Sequence, residues 1–499
     1  MNKLFPREEY LEKIERCLDK EIIVVLTGQR RVGKSCTLRM LRDRKSADPN
    51  NNIIFIDKEK REFDMLKTYA ELNDHIEQHL QSDKNNYVLI DEIQDIAEFE
   101  RTLRHYRTEP GVELIVTGSN AKMLSGELTT IIGGRYKEIH IQPLCYEEFL
   151  QFHNLADGDE ALTLFIQYGG LPGLRKIGLD ESEVRAYQSD ILNTVLLKDV
   201  IMRNNIRNAV FMENLVRFLG DNIGKIISAG SIAKYMKSQG MSVTATTVLE
   251  YTKYLCEAFI INRVSRYDIH GKHLFESLDK FYFEDHGLRN AIVGGTREGD
   301  IEKIIENIVY QHLVRKGYNV TVGMLQAGEI DFVCNAPGGG RCYIQVAFIV
   351  ADEKTREREF GNLHAIPDNY PKYVISLTPM LLHSDDNGIT HLHMREFLKR
   401  DKFLHATYAI RHLHTRTLLQ KPLHLLRLLF YHRRKAKAAV CRGCEEGTGS
   451  AEGLSRHKGN SHGVSRRRHA LAAGTGRTGR DFFEHQRPVC RGRRCGNHD

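Results

Sequence analysis

A short glycine-containing segment between a strand pattern and a helix pattern constrains this chain most. The run Ile22–Leu26 is β-branched apart from its final leucine, which is typical of a strand buried on both faces of a parallel sheet. It leads into Gly28-Gln-Arg-Arg-Val-Gly-Lys-Ser35, which fits G-x-x-x-x-G-K-[ST], and a helical pattern covers 37–44. This order predicts a phosphate-binding loop at the edge of an α/β sheet.

The residue types in this loop predict a site for ATP with Mg²⁺. Glycines let the backbone bend so that its N–H groups face phosphate oxygens. We expect Lys34 to contact the β- and γ-phosphates as a catalytic residue, and the Ser35 hydroxyl to bind Mg²⁺. The predicted nucleotide-binding residues are Gly28, Gln29, Arg30, Arg31, Val32, Gly33, Lys34, Ser35 and Cys36. Whether Arg30 and Arg31 face the nucleotide or a neighbouring element stays open.

Two carboxylates follow a second buried strand pattern. Strand patterns at 53–56, 87–90 and 113–116 alternate with helical ones, which predicts a doubly wound α/β domain. Asp91 and Glu92 come directly after the run at 87–90, at the edge where such sheets bind ligands. Asp91 is therefore predicted to hold Mg²⁺, and Glu92 to act as the general base on the attacking water.

Two further positions are candidates for catalysis. Ser119 or Asn120 follows the next strand pattern and would orient the attacking water by a hydrogen bond, although an ordinary strand-end turn explains them equally well. Arg135 follows two glycines and is a candidate γ-phosphate-sensing or finger arginine, because a planar guanidinium suits developing phosphoryl charge.

The rest of the chain divides by pattern and composition. Beyond the first domain, a winged-helix pattern consists of helices at 231–237 and 246–257 and strands at 259–267 and 280–283. The predicted regions are an ATPase core (1–143), a helical region (144–225), a winged-helix-like domain (226–298), an α/β domain (299–401) and a basic tail (402–499). Thr246, Thr247, Glu250 and Lys253 are candidates for DNA contact, with intramolecular packing an equal alternative.

An ordered series of motifs resembles one family. The motifs are Thr27–Ser35, Leu89–Gln94, Thr117–Asn120, Gly134–Tyr136, Tyr168–Pro172, Lys280–Arg289, Glu306-Asn307, Glu329–Phe332 and Tyr343–Val346. Together they resemble the prokaryotic AAA+-like P-loop ATPases that carry a C-terminal winged helix and a restriction-endonuclease-like domain of PD-(D/E)XK type. The resemblance implies a P-loop parallel sheet, a helical and winged-helix middle and a nuclease-fold end, and it supports a functional role for Arg135.

The nuclease-like end departs from the pattern of an active enzyme. By motif order Glu306, Asp331, Gln345 and Ala347 fall where that fold places three metal-binding carboxylates and a lysine. Gln345 is neutral and Ala347 has no amine, so we predict a degenerate nuclease fold. A lysine elsewhere in the chain, such as Lys354, is the alternative that would restore activity.

Charge separates the tail from the body. Residues 401–499 contain 21 Lys or Arg and 7 Asp or Glu, a net charge of +14, whereas residues 1–400 carry −7. The tail is predicted to be either disordered or out of frame, and the second interpretation is preferred because the composition changes abruptly. Cys441, Cys444, His457 and His462 have zinc-finger spacing, but coincidence explains them better in so His-rich a segment.

Composition narrows the class of protein. No apolar run approaches the ~18–20 residues that span a bilayer, and the charged N-terminus is unlike a secretory signal. Ten irregularly spaced cysteines favour reduced thiols, so we predict a cytoplasmic protein without membrane contact. We predict an ATP hydrolase, with double-stranded DNA or a protein as partner and oligomerisation left open. The alternatives are an ATP-regulated, metal-dependent DNA nuclease and a non-hydrolysing nucleotide switch.

Overall fold

The first sheet lies in the N-terminal part of the chain. The computed structural model describes residues 5–121, 133–274, 278–326, 328–379 and 388–400. The strands of this sheet are β1 (Ile23–Thr27), β2 (Asn51–Asp57), β3 (Asn85–Asp91), β4 (Val112–Thr117) and β5 (Tyr136–His140). They pair in parallel in the order β2-β3-β4-β1-β5, as predicted for a doubly wound domain. The helices between and before them are α1 (Glu8–Glu15), α2 (Lys34–Lys45), α3 (Tyr69–His79) and α4 (Phe99–Tyr106).

Apolar residues cover both faces of this sheet. Alternate residues of a strand point to opposite faces. Val24 accordingly packs with Tyr10 of α1 and Leu38 of α2, whereas Val25 belongs to a second cluster with Leu72 of α3. All five residues of β1 are buried, which explains their unbroken apolar pattern. The sheet is thus fixed from both sides, and its strand ends have fixed positions.

Helices form the next part of the chain. They are α5 (Tyr146–His153), α6 (Asp159–Tyr168), α7 (Leu174–Ile177), α8 (Glu181–Thr194), a π-helical segment (Val195–Met202) and α9 (Ala209–Asp221). Two more helices and four short strands follow, α10 (Ala229–Ser238), α11 (Ala245–Glu257), β6 (Ile261–Val264), β7 (Arg266–Asp268), β8 (His273–Leu274) and β9 (Lys280–Phe283). Strands β6 and β9 pair with each other in antiparallel fashion.

The second large sheet is mixed and lies in the C-terminal part. The remaining elements are α12 (His286–Val293), α13 (Ile301–Arg315), β10 (Asn319–Met324), β11 (Glu329–Asn335), β12 (Arg341–Val346), α14 (Glu353–His364), β13 (Lys372–Ser376), β14 (Ile389–His393) and α15 (Met394–Leu398). The strand order is β14-β13-β12-β11-β10-β7-β8. Helix α13 packs on this sheet with the fully buried Ile304, Ile305 and Val309.

The strand predicted over 259–267 is wrong as a single strand. Phe259 has a left-handed backbone, with φ +53°, and ends the turn after α11, so the strand begins only at Ile261. The chain then changes sheets after Val264, because β7 pairs with β10 instead of with β9. The second sheet therefore begins before residue 298, where the winged-helix boundary was predicted. Within the described residues, no helix has the length and apolar character needed to cross a bilayer.

Candidate nucleotide-binding site

The loop between β1 and α2 has the tight backbone that its glycines predict. Gly28 has φ +136° and Gly33 has φ +104°, and Arg31 is also left-handed at φ +72°. A Cβ atom on Gly28 would lie 2.2 Å from the carbonyl oxygen of Ile141, so only glycine fits there. Left-handed residues in such a turn create concave backbones that bind anions, and α2 begins directly behind this one at Lys34.

Lys34 lies buried over this loop. Its Nζ donates hydrogen bonds to the carbonyl oxygens of Gly28, at 2.8 Å, and Gln29, at 3.0 Å. The residue is only 4 % exposed, and burial lowers the pKa of its amine although Glu92 and Asp91 oppose the shift. The ammonium thus has backbone carbonyls as its hydrogen-bond partners here, so it can exchange them for phosphate oxygens without breaking a direct ion pair.

Asp91 ends β3 beside the loop, as predicted. Its Oδ1 accepts a hydrogen bond from the Thr117 hydroxyl at 2.6 Å, and it also interacts with the Ser35 hydroxyl. Burial raises the pKa of this carboxyl despite these hydrogen bonds. Its second oxygen, Oδ2, is buried without a hydrogen-bond partner in the described part of the chain. A buried carboxylate oxygen left in this way fits a cation or its bound water.

Glu92 follows with a left-handed backbone, at φ +54°. Its N–H donates to the Thr117 hydroxyl at 2.9 Å, and its carboxylate accepts from the Gln94 side chain. Thr117 therefore holds Asp91 and Glu92 together through a single hydroxyl. The sequence patterns predicted no individual role for Thr117, although a polar residue that ends the strand next to β3 is a signal for one.

The end of β4 supplies more polar groups at the same edge. Ser119 and Asn120 are buried, at 1 % and 3 % exposed, directly after this strand. Among the described atoms, Ser119 Oγ and Gln29 Oε1 are buried without hydrogen-bond partners. These unsatisfied groups, with Asp91 Oδ2, show that the polar atoms at this edge are not fully paired within the described residues.

The two loop arginines and their neighbours have different surroundings. The Arg30 guanidinium forms a two-pronged ion pair with Asp199 of the π-helical segment, with distances of 2.9 and 3.1 Å. This resolves the alternative left open for Arg30, which faces a neighbouring element in this structure. Arg31 is exposed, Val32 is buried and Cys36 is half-buried.

Arg135 is not part of this site within one chain. Its carbonyl accepts a hydrogen bond from the N–H of Ile23, at the start of β1, and its side chain is exposed. Because β5 runs parallel to β1, Arg135 lies at the opposite edge of the sheet from the loop that follows Thr27. The intervening strand spans roughly 16 Å at about 3.3 Å per residue. Arg135 therefore does not reach the loop of its own chain, and its role as a finger arginine stays a prediction.

The predicted nuclease-like residues meet in a separate cavity of about 270 Å³. Glu306 on α13, Asp331 on β11 and Gln345 on β12 line it, as motif order predicted. Ala347 is buried beside β12, and Lys354 is exposed on α14 and does not line the cavity. A different lysine, described below, reaches these carboxylates.

The remaining candidates lie on the surface or outside the described residues. Thr246, Glu250 and Lys253 are exposed on α11, and Thr247 is half-buried. The cysteines and histidines with zinc-finger spacing fall within 401–499, outside the described residues.

Comparisons with known proteins define the class. A family model of the AAA domain matches residues 20–150, which contain the parallel sheet and its loop. This part of the chain is similar to AAA domains, which supports a nucleotide-binding ATPase domain of that type. A second model, a domain of unknown function (DUF8612), matches residues 159–298.

Two uncharacterised relatives match over most of the chain and not only over the AAA domain. An uncharacterised protein of Haemophilus influenzae is 32% identical over 380 residues, covering 75% of this chain and 93% of the relative. This chain belongs to the same family as that protein. Another relative, the uncharacterised protein MJ1544 of Methanocaldococcus jannaschii, is 27% identical over 352 residues, covering 68% of this chain and 77% of the relative.

Solved structures are more distant. Cdc6p from Pyrobaculum aerophilum shares 13% identity at a TM-score of 0.28, covering 62% of this chain and 96% of that one. At this score the likeness carries no argument about function.

Proposed function

We propose that this protein hydrolyses ATP with Mg²⁺ at the edge of its parallel sheet. One observation carries the proposal: Lys34, Ser35, Asp91 and Glu92 converge there, with an unsatisfied Asp91 oxygen buried among them. Mg²⁺, when bound, would offset phosphate charge and orient the phosphates. Ser35 and Asp91 are the residues that would hold it.

The chain's own groups would divide the work of hydrolysis. Lys34 neutralises charge on the β- and γ-phosphates, and Glu92 accepts the proton of a water that attacks the γ-phosphorus. The bond from this phosphorus to the bridging oxygen breaks, and ADP and inorganic phosphate leave. Asn120, buried after the end of β4, the strand next to β3, is proposed to hold that water.

Phosphate release under saturating ATP and Mg²⁺ tests this proposal. We expect turnover by the parent chain and its loss in Lys34→Ala, with Lys45→Ala, at the other end of α2, as the matched control. Saturable ATP binding without phosphate release would favour the nucleotide switch instead. Absence of ATP binding in the parent would contradict both.

We also propose that nucleotide state acts on a winged-helix and restriction-endonuclease-like C-terminal half. Two direct contacts support such coupling, one to the helical region and one to the predicted winged-helix region. Arg30 of the loop pairs with Asp199, and His140 of β5 bonds to Glu284 after β9 at 2.7 Å. Turnover measured with and without double- and single-stranded DNA tests whether DNA is the partner. An unchanged rate with both would direct the search to a protein.

A further inference from the structure

Five carboxylates surround the C-terminal cavity of about 270 Å³. They come from α13, β11 and α14, which the fold brings to one side of the mixed sheet. The carboxylates are Glu302, Glu306, Glu329, Asp331 and Glu359. So many like charges in one place need a cation close by.

The chain supplies cations of its own: Arg358 of α14 pairs with Glu359, and a lysine reaches the other carboxylates from outside the sheet. Lys280 belongs to β9, which pairs with β6, yet its Nζ lies 2.6 Å from Glu306 Oε1 and 3.3 Å from Asp331 Oδ1. It also contacts Glu329. The Lys280 side chain is 2 % exposed. Burial by itself would lower the pKa of this amine, but the three carboxylates prevail and raise the pKa, so the amine stays charged.

Several of these carboxylate oxygens already have hydrogen-bond partners besides Lys280. Glu306 Oε1 also accepts from the Tyr282 hydroxyl at 2.5 Å, and Asp331 Oδ2 accepts from the N–H of Val346 at 2.9 Å. Hard divalent cations need several carboxylate or carbonyl oxygens turned toward one point. Among the described residues, no group of three or more His, Cys, Asp or Glu side chains is arranged to hold a metal.

Gln345, the neutral residue in the metal-binding pattern, also has hydrogen-bond partners within the chain. Gln345 accepts from the N–H of Asp331 at 3.3 Å and donates to Glu359 Oε2 at 3.2 Å. Its amide therefore links Asp331 to Glu359 and does not add a free oxygen to the cavity. The residues present do not fit the divalent cation that an active nuclease of this fold requires.

We propose that the Lys280 ammonium is the permanent cation of this cluster and occupies the place of a divalent metal ion. The cluster then joins β9 to α13 and β11 as a fixed ionic contact. Asn307 reinforces the same joint, because its side chain accepts from the N–H of Phe283 at 2.6 Å and donates to the Phe283 carbonyl at 2.9 Å. A deleted ammonium would leave three buried carboxylates that a divalent cation could neutralise.

Mn²⁺ binding to the full-length protein without nucleotide tests the proposal. Asp91→Asn removes binding at the phosphate loop, and Asp331→Asn removes binding at the cluster, so the two sites are counted separately. We expect the Asp331→Asn variant to bind as many Mn²⁺ ions as the parent. Loss of a site in that variant, or Mg²⁺-dependent plasmid nicking that Asp331→Asn abolishes, would overturn the proposal whatever happens to ATP turnover.

Lys280→Met gives the second arm, with Lys303→Met as control because Lys303 pairs with Asp300 outside the cavity. We expect Lys280→Met to melt several degrees below the parent and to gain one Mn²⁺ site that raises its melting temperature. Unchanged melting without Mn²⁺ uptake would overturn the proposal. If Lys280→Met does not fold, the Mn²⁺ count on the parent and Asp331→Asn decides alone.

Discussion

Two buried lysines sit near carboxylates in this protein, and they differ in what holds them. Lys34 donates to backbone carbonyls, and burial lowers the pKa of its amine. Lys280 bonds directly to carboxylates, which raise the pKa of its amine despite burial. The first lysine is free to take a new anionic partner, whereas the second is neutralised within the chain. Burial of a lysine does not by itself indicate a ligand site, because its hydrogen-bond partners determine whether the ammonium can bind a ligand.

Removing divalent cations is expected to separate the two regions most sharply. Excess EDTA should reduce ATP turnover to background, because phosphate charge at the loop is then not offset. The melting temperature of the nucleotide-free Asp91→Asn variant, which lacks the metal-binding carboxylate of the loop, should not change, because Lys280 already takes the place of a metal ion among the carboxylates of the acidic cluster. Calorimetry with and without EDTA measures the second effect. A drop in melting temperature would mean that a metal ion, and not the ammonium, stabilises the fold.

Lys34→Ala is expected to lower ATP turnover by about 10³-fold, because the loop loses the cation that meets the phosphates. The melting temperature should change far less than in Lys280→Met, since no carboxylate loses a direct partner. Phosphate release and calorimetry on both variants test this contrast. Equal effects on turnover in Lys34→Ala and Lys45→Ala would remove Lys34 from the mechanism.

Glu92→Gln should reduce turnover by about 10²-fold or more and retain ATP binding, because only the proton acceptor is lost. Glutamine keeps the shape of the side chain and its contact with Gln94. Binding of a fluorescent ATP analogue and phosphate release separate the two quantities. Glu98→Gln, on an exposed turn, is the control. Turnover unchanged in Glu92→Gln would exclude this residue as the base.

His140 lies between the two regions and should show the smallest effect. Its Nδ1 lies 3.2 Å from the hydroxyl of Thr27, and its Nε2 bonds to Glu284. Burial opposes the charged form, but Glu284 prevails and raises the pKa of His140 above 6.5. The contribution of charged His140 to the stability of the fold is therefore complete below pH 6.5, and it is lost as the pH rises through the raised pKa of His140.

We accordingly expect the melting temperature of His140→Asn to fall a few degrees below that of the parent at pH 6, with a smaller gap at pH 9. His270→Asn, at an exposed position, should show no such dependence. A gap that does not change with pH would mean that His140 is not charged in the fold.

The sequence was sufficient where the determining residues are neighbours in the chain. The phosphate loop, the strand before it and Asp91-Glu92 at the end of β3 were all predicted from local patterns, and the structure brings them together. Parallel strands with short connections put successive strand ends at one edge, so the meeting of Ser35 with Asp91 followed from topology alone.

The features that the sequence did not predict depend on contacts between residues far apart in the chain. Lys280 meets Asp331 across 51 positions and from a different sheet, so no spacing rule connects them. Arg135 was assigned by residue type and by the motif Gly134–Tyr136, neither of which gives its place in the sheet, because that depends on how β5 pairs with β1. Local pattern also could not predict that the chain changes sheets between β6 and β7, since both halves of that segment favour extended structure.

The close approach of Ile141 to Gly28 has one more consequence. The carbonyl of Ile141 packs directly against the backbone at Gly28, so a segment outside the motif limits the conformation of the phosphate-binding loop. A relative with any larger residue at this position would have to move the chain after β5 as well. Grafting the eight-residue motif alone into another sheet would therefore not reproduce the same curvature.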